Sequence, residues 1–201
     1  YNGPGAVDDT SGTASVLEMA HQFATEAIER GDPVRSVRFC TWGGEEEGLW
    51  GSKAYVESHK GALTQNLRLY VNLDMNHVDI DKGERGNSLW LFGNDKRDIE
   101  NVKDITKQYQ QKRPEIANKY VINFDLLTGD LGDADGLPYN SDHGPFAYGL
   151  EDKRGKVLVC YGSGSWEYHT YADDMTRFNE ESTGVSVVIY GTYVVHLAYG
   201  G

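Results

Sequence analysis

VRSVRFCTWGGEEEGLWGSKAYV, residues 34–56, carries the reading that decides the fold. Val34 to Trp42 is apolar and β-prone, so it predicts a strand, and Gly43-Gly44 breaks it. Three glutamates follow in a loop, and Gly51 to Ser58 then predicts a short helix. A strand leading through a polar loop into a helix is the unit from which α/β sheets are built. Three adjacent carboxylates directly after an apolar strand repel one another for no gain in folding. A solvated loop is the plain alternative; a bound cation would remove the repulsion.

The same grammar continues on both sides. From Ser11 to Glu29 the apolar residues Val16, Leu17, Met19, Ala20, Phe23, Ala24, Ala27 and Ile28 recur at helical spacing, and Gly31-Asp32-Pro33 ends the run. Downstream, Leu67 to Met75, Ser88 to Gly93, Val121 to Phe124 and Lys156 to Tyr161 predict strands. Asp98 to Lys112 and Glu180 to Tyr199 predict helices. Strands separated by helices predict a largely parallel sheet covered on both faces, within one domain. Ligands of such sheets bind beyond the carboxyl ends of the strands. Glu45 and Glu46 follow one strand, Asp74 closes another, and His169 lies a short loop beyond a third, so the spacing predicts that they converge on one edge.

Composition narrows the partners. The chain has 201 residues and a formal net charge of −12, which disfavours a polyanionic nucleic acid as partner. No apolar run approaches the roughly 20 residues of a membrane span, so no membrane partner is expected. Cys40 and Cys160 each sit inside a β-like run and read as buried free thiols before a disulfide. Oligomeric state is not legible.

Four motifs carry the chemistry. GPGAVDDTSG (residues 3–12) sets two aspartates among glycines before a helix, as a turn and N-cap would or as a metal ligand would. WGGEEEGLWGS (42–52) provides one carboxylate for a metal and another for a proton. NLDMN (72–76) ends a strand on a charge, and WEYHTYADD (166–174) sets a histidine in an aromatic loop.

These motifs, with NSDHGPF at 140–146, resemble in order those of the M28 family of metallopeptidases, which includes bacterial aminopeptidases holding two clustered zinc ions. The resemblance spans residues 3–174. It implies a three-layer α/β/α fold with a mostly parallel mixed central sheet and a zinc-dependent exopeptidase acting on peptides, an aminopeptidase before other kinds. It implies Asp8 as the ligand bridging two zinc ions, Glu46 and His169 as ligands of one, and Asp74 as a ligand of the other. Glu45 would be the general base and Tyr168 a donor to the tetrahedral intermediate. The Asp8–Asp9 peptide becomes a candidate for a cis bond, and Ser141, Asp142 and His143 would line the substrate side of the cleft. Secretion is the family's habit and is expected on that ground alone.

One departure stands out. The family's His-x-Asp-Ser motif, which supplies the first zinc-binding histidine, would lie upstream of Tyr1. The chain is therefore expected to be a single catalytic domain, residues 1–201, without its first strands and that histidine. One zinc should then bind well and the second weakly. His21, His59 and His196 read as surface or packing residues, and His77 has no matching position. A glutaminyl-cyclase-like transferase with a single zinc and a non-catalytic receptor-like domain are the alternatives on the same fold.

Overall fold

The computed structural model describes residues 3–79, 81, 86–151, 154–164 and 167–201. The expected Trp166 at the head of the histidine loop lies outside these residues, and the other motif positions lie within them.

Four strands form the sheet: β1 (Tyr70–Leu73), β2 (Ser88–Gly93), β3 (Val121–Leu126) and β4 (Val157–Tyr161), in the order β1-β4-β2-β3. β1 runs parallel to β4 and β2 parallel to β3, while β2 and β4 are antiparallel. The sheet is thus mixed, with parallel pairing at both sides. On one face lie α1 (Thr10–Arg30), α3 (Lys96–Lys112) and α6 (Glu180–Ala198); on the other lie α2 (Trp50–Asn66) and α5 (His143–Tyr148). A short α4 (Pro114–Ala117) follows α3. The architecture is the expected three-layer α/β/α.

Local sequence explains the elements. α1 is capped by Asp9, whose side chain accepts from the Gly12 amide, α3 by Asp95 and α6 by Asn179. α6 is apolar around most of its circumference because it lies between α1 and α3 over the sheet. Its Val185, Ile189, Tyr190 and Tyr193 are fully buried, each burial contributing on the order of 2 kcal/mol. The Tyr190 hydroxyl donates to the Val159 carbonyl at 2.8 Å, so the ring enters the core without orphaning its polar end.

The strand expected from Val34 to Trp42 does not form. Val34 and Arg35 both donate backbone N–H groups to the Ala198 carbonyl at the end of α6. Beyond them the backbone joins no strand ladder, and β1 forms the edge of the described sheet. A cleft of about 660 Å³, lined by Val37, Phe39 and Cys40 on one side and Leu69 and Val71 on the other, separates the segment from β1. Apolar, β-prone sequence favours an extended backbone, but a strand also needs a neighbour for its N–H and C=O groups, and that requirement is non-local. Both cysteines are free thiols, Cys160 buried and Cys40 half-buried.

Candidate metal centre and active site

β1 and β4 run parallel, so their carboxyl ends share one edge, and Asp74 and the loop to His169 leave from it. The first turn of α1 is pressed onto this edge. Gly12 lies against the Leu73 carbonyl with no room for a Cβ, and Gly3 is packed equally closely on the Thr170 carbonyl. These two contacts bring the Asp8 loop onto the end of β1 and onto the histidine loop. Glu45 and Glu46 arrive from the extended segment rather than from a sheet strand, so the expected convergence holds for the residues and only partly for its cause.

The Asp8–Asp9 peptide is cis, as expected. The two aspartates divide the roles that the sequence left open between them. Asp9 Oδ1 accepts from the Gly12 amide at 3.2 Å and from the Met75 amide at 2.9 Å, so it caps α1 and ties that cap to the end of β1. Asp8 faces the cleft. His169 Nε2 lies 3.0 Å from Asp8 Oδ2 and 2.6 Å from Glu46 Oε1. His169 holds a left-handed backbone, φ 60°, which is uncommon outside glycine and fits a residue whose ring direction is set by its surroundings. Its ring stacks on Tyr168, with centroids 3.6 Å apart.

Asp8, Glu46 and His169 offer ligand atoms that all lie within 4.8 Å of one another, the single such group among the described residues. Two carboxylates and an imidazole are a donor set that zinc accepts, with a further position open for water. Electrostatics point the same way. Loss of water raises the Asp8 carboxyl to about 7, and the nearby charges of Asp74 and Glu46 push in the same direction. Glu45 is also raised to about 7, first by desolvation and then by Asp74 and Glu46. A cation at the triad would reverse this repulsion. Zinc therefore fits this group.

Asp74 stands outside the triad but lines the same clefts. Its Oδ2 accepts from the Ser141 hydroxyl at 2.5 Å. Desolvation raises its carboxyl, and the Ser141 hydrogen bond opposes that rise. One cleft of about 440 Å³ contains Asp8, Glu45, Glu46, Asp74, Ser141 and Asp142. A second, about 470 Å³, shares the first four and adds Tyr139, Tyr161 and Tyr168. Tyr168 is exposed there, and desolvation with the fields of Asp8 and Glu46 pushes its phenol to about 12, so it keeps its proton at neutral pH.

Sequence reasoning missed one contributor and understated another. Asp173 accepts from the Val7 amide at 2.8 Å and from the Asp8 amide at 3.0 Å, clamping the Asp8 loop to the histidine loop. Its only signal was its place in YHTYADD. Ser141 is a partner of Asp74 rather than only a cleft wall, and Asp142 receives the Ser52 hydroxyl. The other histidines play no part here. His77 is buried, stacked 5.3 Å from Phe178, and accepts from the Asn179 amide; His59 stacks on Tyr55, and His21 is exposed.

The Pseudomonas aeruginosa protein named "Aminopeptidase" is 43% identical over 75 residues, which is 37% of this chain and 13% of that protein. A maize protein named "Probable glutamate carboxypeptidase VP8" is 28% identical over 172 residues, covering 84% of this chain and 22% of its own length. In structure the chain is similar to Legionella pneumophila LapA aminopeptidase, with a TM-score of 0.73, 20% identity, and coverage of 98% of this chain and 48% of that one. It is also similar to BSAP, a zinc aminopeptidase from Bacillus subtilis, with a TM-score of 0.65, 22% identity, and coverage of 99% and 43%. These likenesses fix the fold, and the chain spans about half or less of the length of each of these proteins. The sequence profile of peptidase family M28 matches residues 1–190, so the order of motifs and the geometry of the edge have one source: the chain belongs to peptidase family M28.

Proposed function

We propose that this chain forms catalytic machinery of a zinc-dependent exopeptidase that hydrolyses the terminal peptide bond of a peptide, acting as an aminopeptidase. The observation that carries the reading is the Asp8, Glu46 and His169 cluster, with Glu45 lining the same cleft as Asp8 and Glu46. Zinc held there supplies Lewis acidity for the scissile carbonyl and acidifies water. Glu45 is the base that takes the proton from water and passes it to the leaving amine. Its carboxyl is raised by loss of water and by Asp74 and Glu46, and a cation among those neighbours returns it to the ionised form that a base requires. Tyr168, protonated and exposed to the cleft, donates to the oxyanion of the tetrahedral intermediate.

The cleft carries more carboxylates than one zinc needs, which suits the ammonium of a free N-terminus. Asp8 and Asp74 are proposed to hold a second zinc. Among the described residues no histidine completes a three-ligand group around Asp74, so this ion should bind more weakly than the first. Zinc analysis after dialysis against trace metal checks the difference; two equally tight ions would contradict it.

Glu45→Gln tests the reaction. Turnover of aminoacyl-nitroanilides should fall by about 10²–10⁴-fold while zinc content stays unchanged. Retained hydrolysis would exclude Glu45 as the base. The single three-ligand group also favours a glutaminyl-cyclase-like transferase as the second reading. An N-terminal glutamine peptide separates the two, since cyclisation without release of an amino acid supports the transferase.

A further inference from the structure

A chain of hydrogen bonds runs from the extended segment, across the end of β1, to Asp74. Trp42 Nε1 donates to the Tyr70 hydroxyl at 3.0 Å, and that hydroxyl donates to Asn72 Oδ1 at 3.1 Å. Asn72 Nδ2 donates to Ser141 Oγ at 3.0 Å, and Ser141 donates to Asp74 Oδ2 at 2.5 Å. None of these side chains is fully exposed, and Asn72 and Ser141 are buried. The Tyr70 ring is held by stacking on Phe146, with centroids 3.9 Å apart and planes 7° from parallel.

The direction of every link is dictated by its ends. An indole N–H can only donate, and an ionised carboxylate can only accept. With Trp42 donating into its oxygen, the Tyr70 hydroxyl sends its own proton onward to Asn72. That fixes the amide with its oxygen toward Tyr70 and its NH₂ toward Ser141. Ser141, receiving that donor, has one proton left to give. Tyr161 lies near Ser141 as well, but a carboxylate at 2.5 Å is the stronger acceptor. Bonds aligned head to tail polarise one another, and each link strengthens the last.

We propose that Trp42, Tyr70 and Asn72 are positioning residues that act through Ser141 to fix the Asp74 carboxylate, committing one oxygen to Ser141 and leaving the other for a cation. The proposal rests on the reading of Asp74 as a ligand of the second zinc. It assigns work to residues that touch neither substrate nor metal. It also joins the two halves of the site, because the relay begins at Trp42, three residues before Glu45. Outer-sphere partners of this kind set metal affinity by holding the ligand's direction.

The test is calorimetric titration of the dialysed protein with zinc. Tyr70→Phe deletes one hydroxyl and keeps the ring on Phe146; Asn72→Leu removes both functions of the amide. Each should weaken the second zinc about tenfold and leave the first unchanged. Ser141→Thr, which keeps the hydroxyl, should retain the wild-type second affinity where Ser141→Ala loses it. Tyr190→Phe is the control for stability, since it removes a fully buried hydroxyl that donates to the Val159 carbonyl and takes no part in the relay. If Tyr70→Phe binds both ions as the wild type does, or if Tyr190→Phe weakens the second ion to the same extent, the relay has no positioning role. A wild-type protein that takes up one zinc only would remove Asp74 as a ligand, and this inference with it.

Discussion

Two carboxylate sites in this molecule are treated in opposite ways. Asp98 at the start of α3 is fully buried and fully partnered: Arg68 meets it with two nitrogens, at 3.0 and 2.6 Å, and the Tyr193 hydroxyl donates to it at 2.5 Å. At the carboxyl edge of the sheet, Asp8, Glu45, Glu46 and Asp74 share their clefts with one another, and His169 meets Asp8 and Glu46. No Lys or Arg among the described residues lines either of these clefts. The first arrangement cancels its charge inside the protein and ties β1's approach to α3 and α6. The second leaves charge for something to cancel. A carboxylate serves structure when the chain supplies its cation and serves chemistry when the chain withholds one.

The largest effect expected from this contrast is on the structural side. Asp98→Ala leaves Arg68 facing a buried gap and should cost about 3–5 kcal/mol in urea unfolding, with zinc affinity of the folded protein unchanged. A variant of wild-type stability would erase the distinction between the two groups. Next comes Asp173, which belongs to neither group but orients Asp8. Asp173→Asn presents an NH₂ to an amide N–H and should weaken the tighter zinc by about 10–100-fold, read by competition with a chelator. Unaltered affinity would mean that the Asp8 loop holds its shape without the clamp.

The smallest effect is a slope. Asp8 has its carboxyl raised from an ordinary 3.8 to about 7 in the metal-free fold. The folded chain therefore keeps a proton that the unfolded chain has released, and stability falls as pH climbs through this window. The contribution is greatest below about pH 4 and is lost by about pH 7. Asp8→Asn removes it, so the variant's advantage in metal-free unfolding midpoint should widen between those limits. Saturating zinc should close the gap in the wild type. A gap that stays constant with pH would show that loss of water and its neighbours' charge do not raise Asp8.

Much of this was legible in the sequence, for reasons that can be named. The strand at Ser88–Gly93 matched its expected limits because its residues are apolar almost throughout and a turn bounds it. Asp8, Glu46 and His169 were legible through the order and flanking residues of their motifs, since each taken alone also fits a cap, a solvated loop or a structural histidine. Val34–Trp42 misled because its pattern specifies an extended backbone and leaves open whether a ladder forms beside it. Helix α5 went unseen: Gly144 and Pro145 disguise it, and its six residues are too few for periodicity to register. Ser141 and Asp173 were visible as letters and not as partners, since their bonds to Asp74 and Asp8 cross most of the fold.

The Asp173 clamp has a kinetic side. It joins residues that stand 166 positions apart in the chain, Val7 ahead of α1 and Asp173 ahead of α6. The proposed ligands Asp8 and His169 sit beside the two jaws, so an ion held by them would also cross-link two segments far apart in the sequence. Leaving the site would then be a matter of parting those two segments, an opening that need not unfold the domain. Metal exchange should keep time with hydrogen exchange at the amides of Val7 and Asp8, and the slowest protons of β4 should take no part in it.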